Sequence, residues 1–353
     1  MVQDLNTLEG LEQTPLFVSG EGGYHTYRIP ALLTTANGVL LAFCEARRHS
    51  QSDTGDIDLV LRRSRDNGLT WEPLRVIAGI GKHVYGNPCP VQDRSTGAIW
   101  LPFNWNRADG PEDQIMRGAA PREVWLMRSD DDGVTWGKPV EITPQVKRPE
   151  WTWYATGPGH GIQLRSGRLL IPCDHATGAP DRSRTHLRSH VIFSDDRGAT
   201  WRIGGSAPGQ TDECLAAELA DGTVYLNMRS YHGKGRRAVA RSSDGGQTWG
   251  ELTWDETLVE PVCQAGLLGL PDGRVLFSNP ASASREGMMV RVSADGCRTW
   301  PHAWMIHRGP SAYSDLAVTA DQQLCCLYER GERHPYETIT LARCALAALV
   351  GRR

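Results

Sequence analysis

This chain has little that would tie it to a membrane or to nucleic acid. No apolar run approaches the length of a spanning helix, and the N-terminus lacks a signal-peptide core. The formal net charge is −3, so no basic field is available to hold a polyanion. Gly-x-Ser-x-Gly, the P-loop and Cys-x-x-Cys are all missing, which removes three common routes to chemistry. The 9 cysteines are odd in number and follow no repeating spacing. Cys325 and Cys326 are neighbours, and pairing them would be strained. The expectation is free thiols in a reducing compartment, hence a cytoplasmic protein; a secreted protein whose signal peptide has been removed is the alternative. Gly157-Pro158-Gly159-His160-Gly161 looks like a phosphate loop but lacks the Lys and the following helix. His186 and His190 stand four apart, a metal-pair spacing on a helix, but His190-Val191-Ile192-Phe193 reads as a strand and no metal site is expected.

What the chain does have is one phrase written repeatedly. Ser-x-Asp-x-Gly-x-Thr-Trp occurs at Ser64–Trp71, Ser129–Trp136, Ser194–Trp201 and Ser242–Trp249. A fifth copy, Ser293–Trp300, has Cys297 in place of the Gly. The intervals are 65, 65, 48 and 51 residues, the mark of one supersecondary unit used again and again. Ser and Asp bond to nearby backbone N–H groups, and Gly takes a conformation closed to other residues. Thr-Trp then re-enters an extended segment. A short apolar run precedes each copy, for example Leu59-Val60-Leu61 and Val191-Ile192-Phe193. The unit is therefore a hairpin with a locked turn, and the box carboxylates, such as Asp66 and Asp131, are structural.

Further strand-like runs follow turn signals at Gly38–Phe43, Gly167–Pro172, Gly222–Asn227 and Gly273–Phe277. Units of roughly fifty residues with four strands each predict an all-β fold, a β-propeller of four-stranded antiparallel blades. A length of 353 residues leaves room for six blades, one of them without a box. The 38 glycines and 12 tryptophans suit a turn-rich sheet protein. No linker, low-complexity tract or charge run divides residues 1–353, so a single domain is expected.

Tyr27-Arg28-Ile29-Pro30 followed by these boxes resembles the sialidase (neuraminidase) family, and the resemblance runs from about Tyr24 to Tyr336. It implies a six-bladed propeller with its active site at one end of the central axis. A sialic acid carries a carboxylate on its anomeric carbon, and a planar, permanently charged, bidentate partner suits that group. The resemblance assigns this task to Arg28, to Arg229 in Leu226-Asn227-Met228-Arg229-Ser230, and to Arg285 in Asn279-Pro280-Ala281-Ser282-Ala283-Ser284-Arg285. Three clustered guanidiniums need a counter-charge. Glu329 in Leu327-Tyr328-Glu329 matches the bracing carboxylate, with Glu337 as runner-up. The site is expected to be locally positive.

A carboxylate attacking a carbon that already bears one would meet like-charge repulsion, whereas a neutral tyrosine would not. Sialidases with a Tyr nucleophile are a recognised exception to the two-carboxylate scheme. The family motif falls on Ser311-Ala312-Tyr313-Ser314-Asp315-Leu316, which implies Tyr313 as nucleophile. The matching base is Glu213; Glu218 competes, but an odd offset on a strand turns it to the other face. The resemblance places the general acid on an Asp of the loop between Ala42-Phe43-Cys44-Glu45 and Leu61-Arg62-Arg63. Asp53 fits best, Asp56 is the alternative, and Asp58 reads as structural. The loop is rich in small polar residues, which suits a mobile acid.

By the resemblance, Asn87 and Gln264 match positions that hold sugar hydroxyls or the N-acyl group, and Glu45 and Arg47 sit where the family places residues beside the arginine cluster, with Arg47 expected to bind substrate. Asp174-His175 occupies a stretch that shapes the glycerol-chain pocket in relatives, in place of the aromatics expected from the animal branch. The implied activity is a retaining exo-α-sialidase that removes terminal sialic acid from sialylated glycans, glycoproteins, gangliosides or oligosaccharides, with no metal or organic cofactor. Three rivals remain: a trans-sialidase using Trp105 or Trp153 as an acceptor platform, or its intramolecular variant giving an anhydro sugar; a KDN-preferring hydrolase; and a non-catalytic Asp-box propeller used for binding.

Overall fold

The computed structural model describes residues 8, 10–79, 81–178 and 184–350. Residues 1–7, where the expectation about a signal peptide falls, lie outside the described residues. Among the described residues, no helix is long and apolar enough to cross a membrane. The fold is all-β. Among the described residues, helix is confined to short stretches at Glu112–Met116, Thr143–Val146 and Leu346–Val350.

The strands run as antiparallel meanders in chain order. Thr26–Thr34, Leu40–Arg47, Ile57–Ser64 and Arg75–Ala78 form the first. A parallel pairing of Ile57 with Val84 joins it to a second, built on Ile99–Asn106, Glu123–Ser129 and Val140–Glu141. Trp151–Thr156, Leu169–Thr177, Leu187–Ser194 and Arg202–Ser206 make a separate sheet. Thr211–Glu218, Val224–Ser230, Arg236–Ser242 and Thr253–Val259 make another. The last sheet holds two meanders fused by the long strand His302–Val318, whose first half pairs with Glu286–Ser293 and second half with Gln323–Arg330. The N-terminal strand Glu12–Val18 pairs with Thr338–Ala345 and covers what would otherwise be an open edge.

The box chemistry is the same in each copy. Ser64 Oγ accepts the Gly68 N–H and donates to Asp66, which accepts both the N–H and the hydroxyl of Thr70. These contacts recur around Asp131, Asp196, Asp244 and Asp295. The turn needs two left-handed residues in succession. Asn67 and Gly68 supply them at φ 60° and 86°, while in the fifth copy Gly296 comes first and Cys297 takes φ 59°. The tryptophans do more than lock their own turns. Trp71 and Trp201 donate to the carbonyls of Gly68 and Gly198 in the same box, but Trp249 and Trp300 reach back to Gly205 and Asp255 in the preceding meander.

A second repeat joins the first two strands of the meanders. Thr35 N–H donates to Val39 O, and the same bond recurs at Leu164–Arg168, Leu219–Thr223, Leu270–Arg274 and Thr319–Gln323. The core lies between sheets. Leu215, Ala217 and Tyr225 pack with Leu267, Phe277 and Trp300 of the next sheet, and Leu32, Leu40 and Ala42 of the first sheet pack with Leu327, Ile339 and Leu341 of the last. The nine cysteines are buried free thiols.

The loop Gly157–Gly161 is a tie between sheets rather than a phosphate cradle. His160 Nδ1 lies 2.7 Å from Asp315 Oδ1, and Asp315 also accepts the Leu32 and Leu316 N–H groups. One buried carboxylate thus links three inner segments. His190 Nδ1 lies 3.0 Å from His175 Nδ1 across the sheet.

Candidate active site

Four inner strands break register at the residues that face one cavity of about 350 Å³. The irregularities fall between Arg28 and Ala31, Trp151 and Tyr154, Thr211 and Cys214, and Ser311 and Ser314. A bulge re-aims side chains that a regular strand would alternate. Here the bulges present Arg28, Trp153, Glu213 and Tyr313 to the cavity, and Ile29 takes φ 62° within the first of them.

Tyr313 is the centre of the arrangement. Its hydroxyl donates a short hydrogen bond to Glu213 Oε1. Arg229 Nη1 reaches Glu213 Oε2 at 2.8 Å and the Tyr313 oxygen at 3.2 Å. The Arg28 and Arg285 guanidiniums lie 5.0 and 5.5 Å from the Tyr313 ring centre. Burial first, and then the Glu213 carboxylate, push the Tyr313 hydroxyl well above its ordinary range, outweighing the three arginines. The phenol is therefore neutral and hydrogen-bonded to a carboxylate, as an activated nucleophile requires.

Arg28 is braced by Glu329, with Nε–Oε1 at 3.0 Å and Nη2–Oε2 at 3.3 Å. Glu329 also accepts the Ile29 and Tyr313 N–H groups, so one fully buried carboxylate fixes the arginine and the tyrosine strand together. Glu337 instead accepts the Glu332 and Arg333 N–H groups away from the cavity. Arg285 Nη1 bonds the Tyr336 hydroxyl at 2.7 Å.

Asp53 lies at the mouth, its side chain 55% exposed, with Arg47 at 2.6 Å and Arg28 at 3.8 Å. Burial opposes, but Arg47 and then Arg28 hold its carboxyl below the usual range. Asp56 meets Arg48 at 3.4 Å and does not border the cavity, and Asp58 accepts Tyr24 and Arg48. Glu218 faces a different, larger cavity beside Arg165.

Three expectations change. Gln264 does not reach the cavity; its amide is spent on the Pro158 and Ser314 carbonyls and the Ser314 N–H, beside Tyr313. Arg47 is 1% exposed and stands behind the wall, bonded to Glu45, Asp53 and the Gln51 carbonyl. Nor is the cavity uniformly positive. Arg28, Arg229 and Arg285 make one cationic wall, while Glu45, Glu112, Asp174 and Asp212 border the rest together with Arg122 and Arg184.

The residue that sequence reasoning missed is Arg122. It is buried, stacks 4.1 Å from the Trp153 ring centre, and donates to Asn87 Oδ1, Asn106 Oδ1 and the Tyr154 carbonyl. Asn87 thus borders the cavity with its amide oxygen engaged by Arg122. Of the two candidate platform tryptophans, Trp153 borders the cavity and Trp105 packs on His83.

Comparison with known proteins gives the family. A BNR repeat-like domain model covers residues 38–326. The chain is 36% identical over 300 residues to an exo-alpha-sialidase of Aspergillus fumigatus, covering 77% of this chain and 69% of that one. It is 32% identical to Sialidase-3 of Bos taurus over 92% of this chain and 91% of the relative. The chain belongs to the sialidase family. Among solved structures, a Hadza microbial sialidase superposes with a TM-score of 0.86 at 32% identity, over 96% of this chain and 69% of that one. Its relatives are named exo-alpha-sialidases, which are glycoside hydrolases, and its sialidase neighbours are β-propellers.

Proposed function

We propose that this chain is a retaining exo-α-sialidase working through a covalent tyrosyl intermediate, on a single six-bladed propeller. Six recurrences of the inner hairpin turn support the blade count: the five bonds above, and Asp93 N–H to Ala98 O with Gly97 left-handed. The observation that carries the functional reading is the Tyr313–Glu213 hydrogen bond bridged by Arg229 inside a cage of Arg28 and Arg285.

In this reading Arg28, Arg229 and Arg285 hold the sugar carboxylate. Asp53 gives a proton to the leaving glycosidic oxygen while Tyr313 oxygen bonds the anomeric carbon and its proton passes to Glu213. Water then attacks that carbon, losing a proton to Asp53, and Glu213 returns the proton to the departing tyrosine oxygen. Asp53 is ionised while Arg28 and Arg47 face it. A bound carboxylate neutralises Arg28 and raises Asp53 toward the protonated form that the first step needs. The substrates are sialylated glycoconjugates. The nine buried thiols support a reducing compartment.

The test is release of 4-methylumbelliferone from its α-sialoside by wild type and Tyr313→Phe. Turnover should fall by several orders of magnitude in the variant with folding intact. Near-normal activity in Tyr313→Phe, or none in folded wild type, overturns the proposal.

A further inference from the structure

Tyr313 is delivered by an irregular stretch of backbone. The register of His302–Val318 against Gln323–Arg330 breaks between Ser311 and Ser314, and a bulge takes residues out of the ladder. Their backbone donors are met from elsewhere. Ser311 N–H goes to the Arg285 carbonyl, Tyr313 N–H to Glu329 and Ser314 N–H to Gln264. The Gln264 amide closes a two-point clip on Ser314. Its Oε1 accepts the Ser314 N–H at 2.9 Å, and its Nε2 donates to the Ser314 carbonyl at 3.0 Å. The same Nε2 donates to the Pro158 carbonyl at 3.1 Å. A side-chain amide thus takes the place that a further strand would fill. Gln264 is itself fixed, at 1% exposure. The Cys263 carbonyl before it accepts Arg237 Nη1 at 2.6 Å, and that nitrogen also bonds Glu260 Oε2 at 2.7 Å. Glu260 in turn accepts the N–H of Ser230, the neighbour of Arg229. Gly266 runs so close to Ser314 that a Cβ there would stand 3.2 Å from the Ser314 carbonyl oxygen.

We propose that Gln264 is a positioning residue for the nucleophile: by clipping Ser314 it fixes the backbone from which Tyr313 reaches Glu213. The inference rests on the sialidase reading of the site. Gln264 does not border the cavity and so does not touch the sugar. Nor does it brace any of the three arginines, which lean on Glu329, Glu213 and Tyr336. Releasing the clip therefore lets the tyrosine drift from its base while the carboxylate grip stays in place. The loss falls on the chemical step and not on binding.

The experiment measures kcat and KM on the 4-methylumbelliferyl α-sialoside, and inhibition by a planar unsaturated sialic acid analogue, for wild type, Gln264→Met and Gln264→Glu. Met keeps the length of the side chain and removes every bond of the clip. Its kcat should fall about 10- to 100-fold, with KM and the inhibition constant close to wild type. Glu keeps an acceptor for the Ser314 N–H, so its kcat should lie between the two, and it carries the test if the Met variant does not fold. Crystal structures should show the Tyr313–Glu213 hydrogen bond in wild type and its loss in Gln264→Met. Unchanged kcat in a folded variant, an inhibition constant that rises in step with the fall in kcat, or an intact Tyr313–Glu213 bond overturns the inference. If wild type is inactive, the sialidase reading fails by itself, and the crystal structures alone decide whether Gln264 positions Tyr313.

Discussion

Neutralising Glu329 should damage both stability and substrate binding, and the size follows from its contacts. The carboxylate is 0% exposed and its partner Arg28 8% exposed at the side chain, so solvent screens the pair little. Glu329→Gln takes away the buried counter-ion of Arg28 and leaves it only the half-exposed Asp53 at 3.8 Å, a loss of about 3–5 kcal/mol. It also turns an amide N–H toward groups that donate. Glu329→Ala adds two orphaned backbone donors, Ile29 N–H and Tyr313 N–H, each costing about 1–3 kcal/mol. Chemical denaturation should rank wild type above Gln above Ala. Arg28→Met in the Glu329→Gln background should restore much of the stability, because removing both charges also removes the burial cost. Activity should not return, since the carboxylate grip on substrate is gone. A double-mutant coupling below about 1 kcal/mol, the scale of an exposed pair, would refute the reasoning.

Asp53→Ala should slow natural sialosides, whose leaving alcohols need a proton, more than aryl sialosides, with Asp56→Ala close to wild type; equal damage to both substrate classes would remove Asp53 from the acid role. Acid should weaken the boxes together. Thr70 side-chain and backbone bonds depress Asp66 from 3.8 to about 2. Asp244 and Asp295 also lie at about 2, where hydrogen bonds from Ser and Thr outweigh burial. A depressed folded value means the stabilisation is present above 3.8 and is lost as pH falls toward 2. Denaturation midpoints measured from pH 5 down to 2 should therefore fall, and fall less in Asp66→Asn; a flat profile would show that these bonds contribute nothing net.

The parts legible in the sequence were those written in local chemistry. A box needs Ser, Asp, a left-handed residue and Thr at fixed offsets because the turn bonds of its Ser and Asp span four residues or fewer, so the pattern survives in one line of text. The same holds for Tyr-Arg-Ile-Pro, where the arginine and the left-handed Ile29 that aims it are neighbours. Arg122 left no such trace. Its role depends on Asn87, Asn106, Tyr154 and Trp153, which meet only after two sheets have packed. Gln264 misled for the complementary reason. Its sequence context matches a sugar-binding position, but whether an amide points at the cavity or at the backbone behind it is decided by the Pro158 and Ser314 carbonyls, 106 and 50 residues away in the chain. Charge was misread in the same way. Three arginines in a list predict a positive pocket, yet each is folded against an acid or a phenol that the list keeps apart: Glu329, Glu213 and Tyr336. A ring of antiparallel meanders brings distant inner strands to one axis, so its site is a sum of single residues from many units. Motif reading finds those residues one at a time, and the packing decides which of them face the substrate.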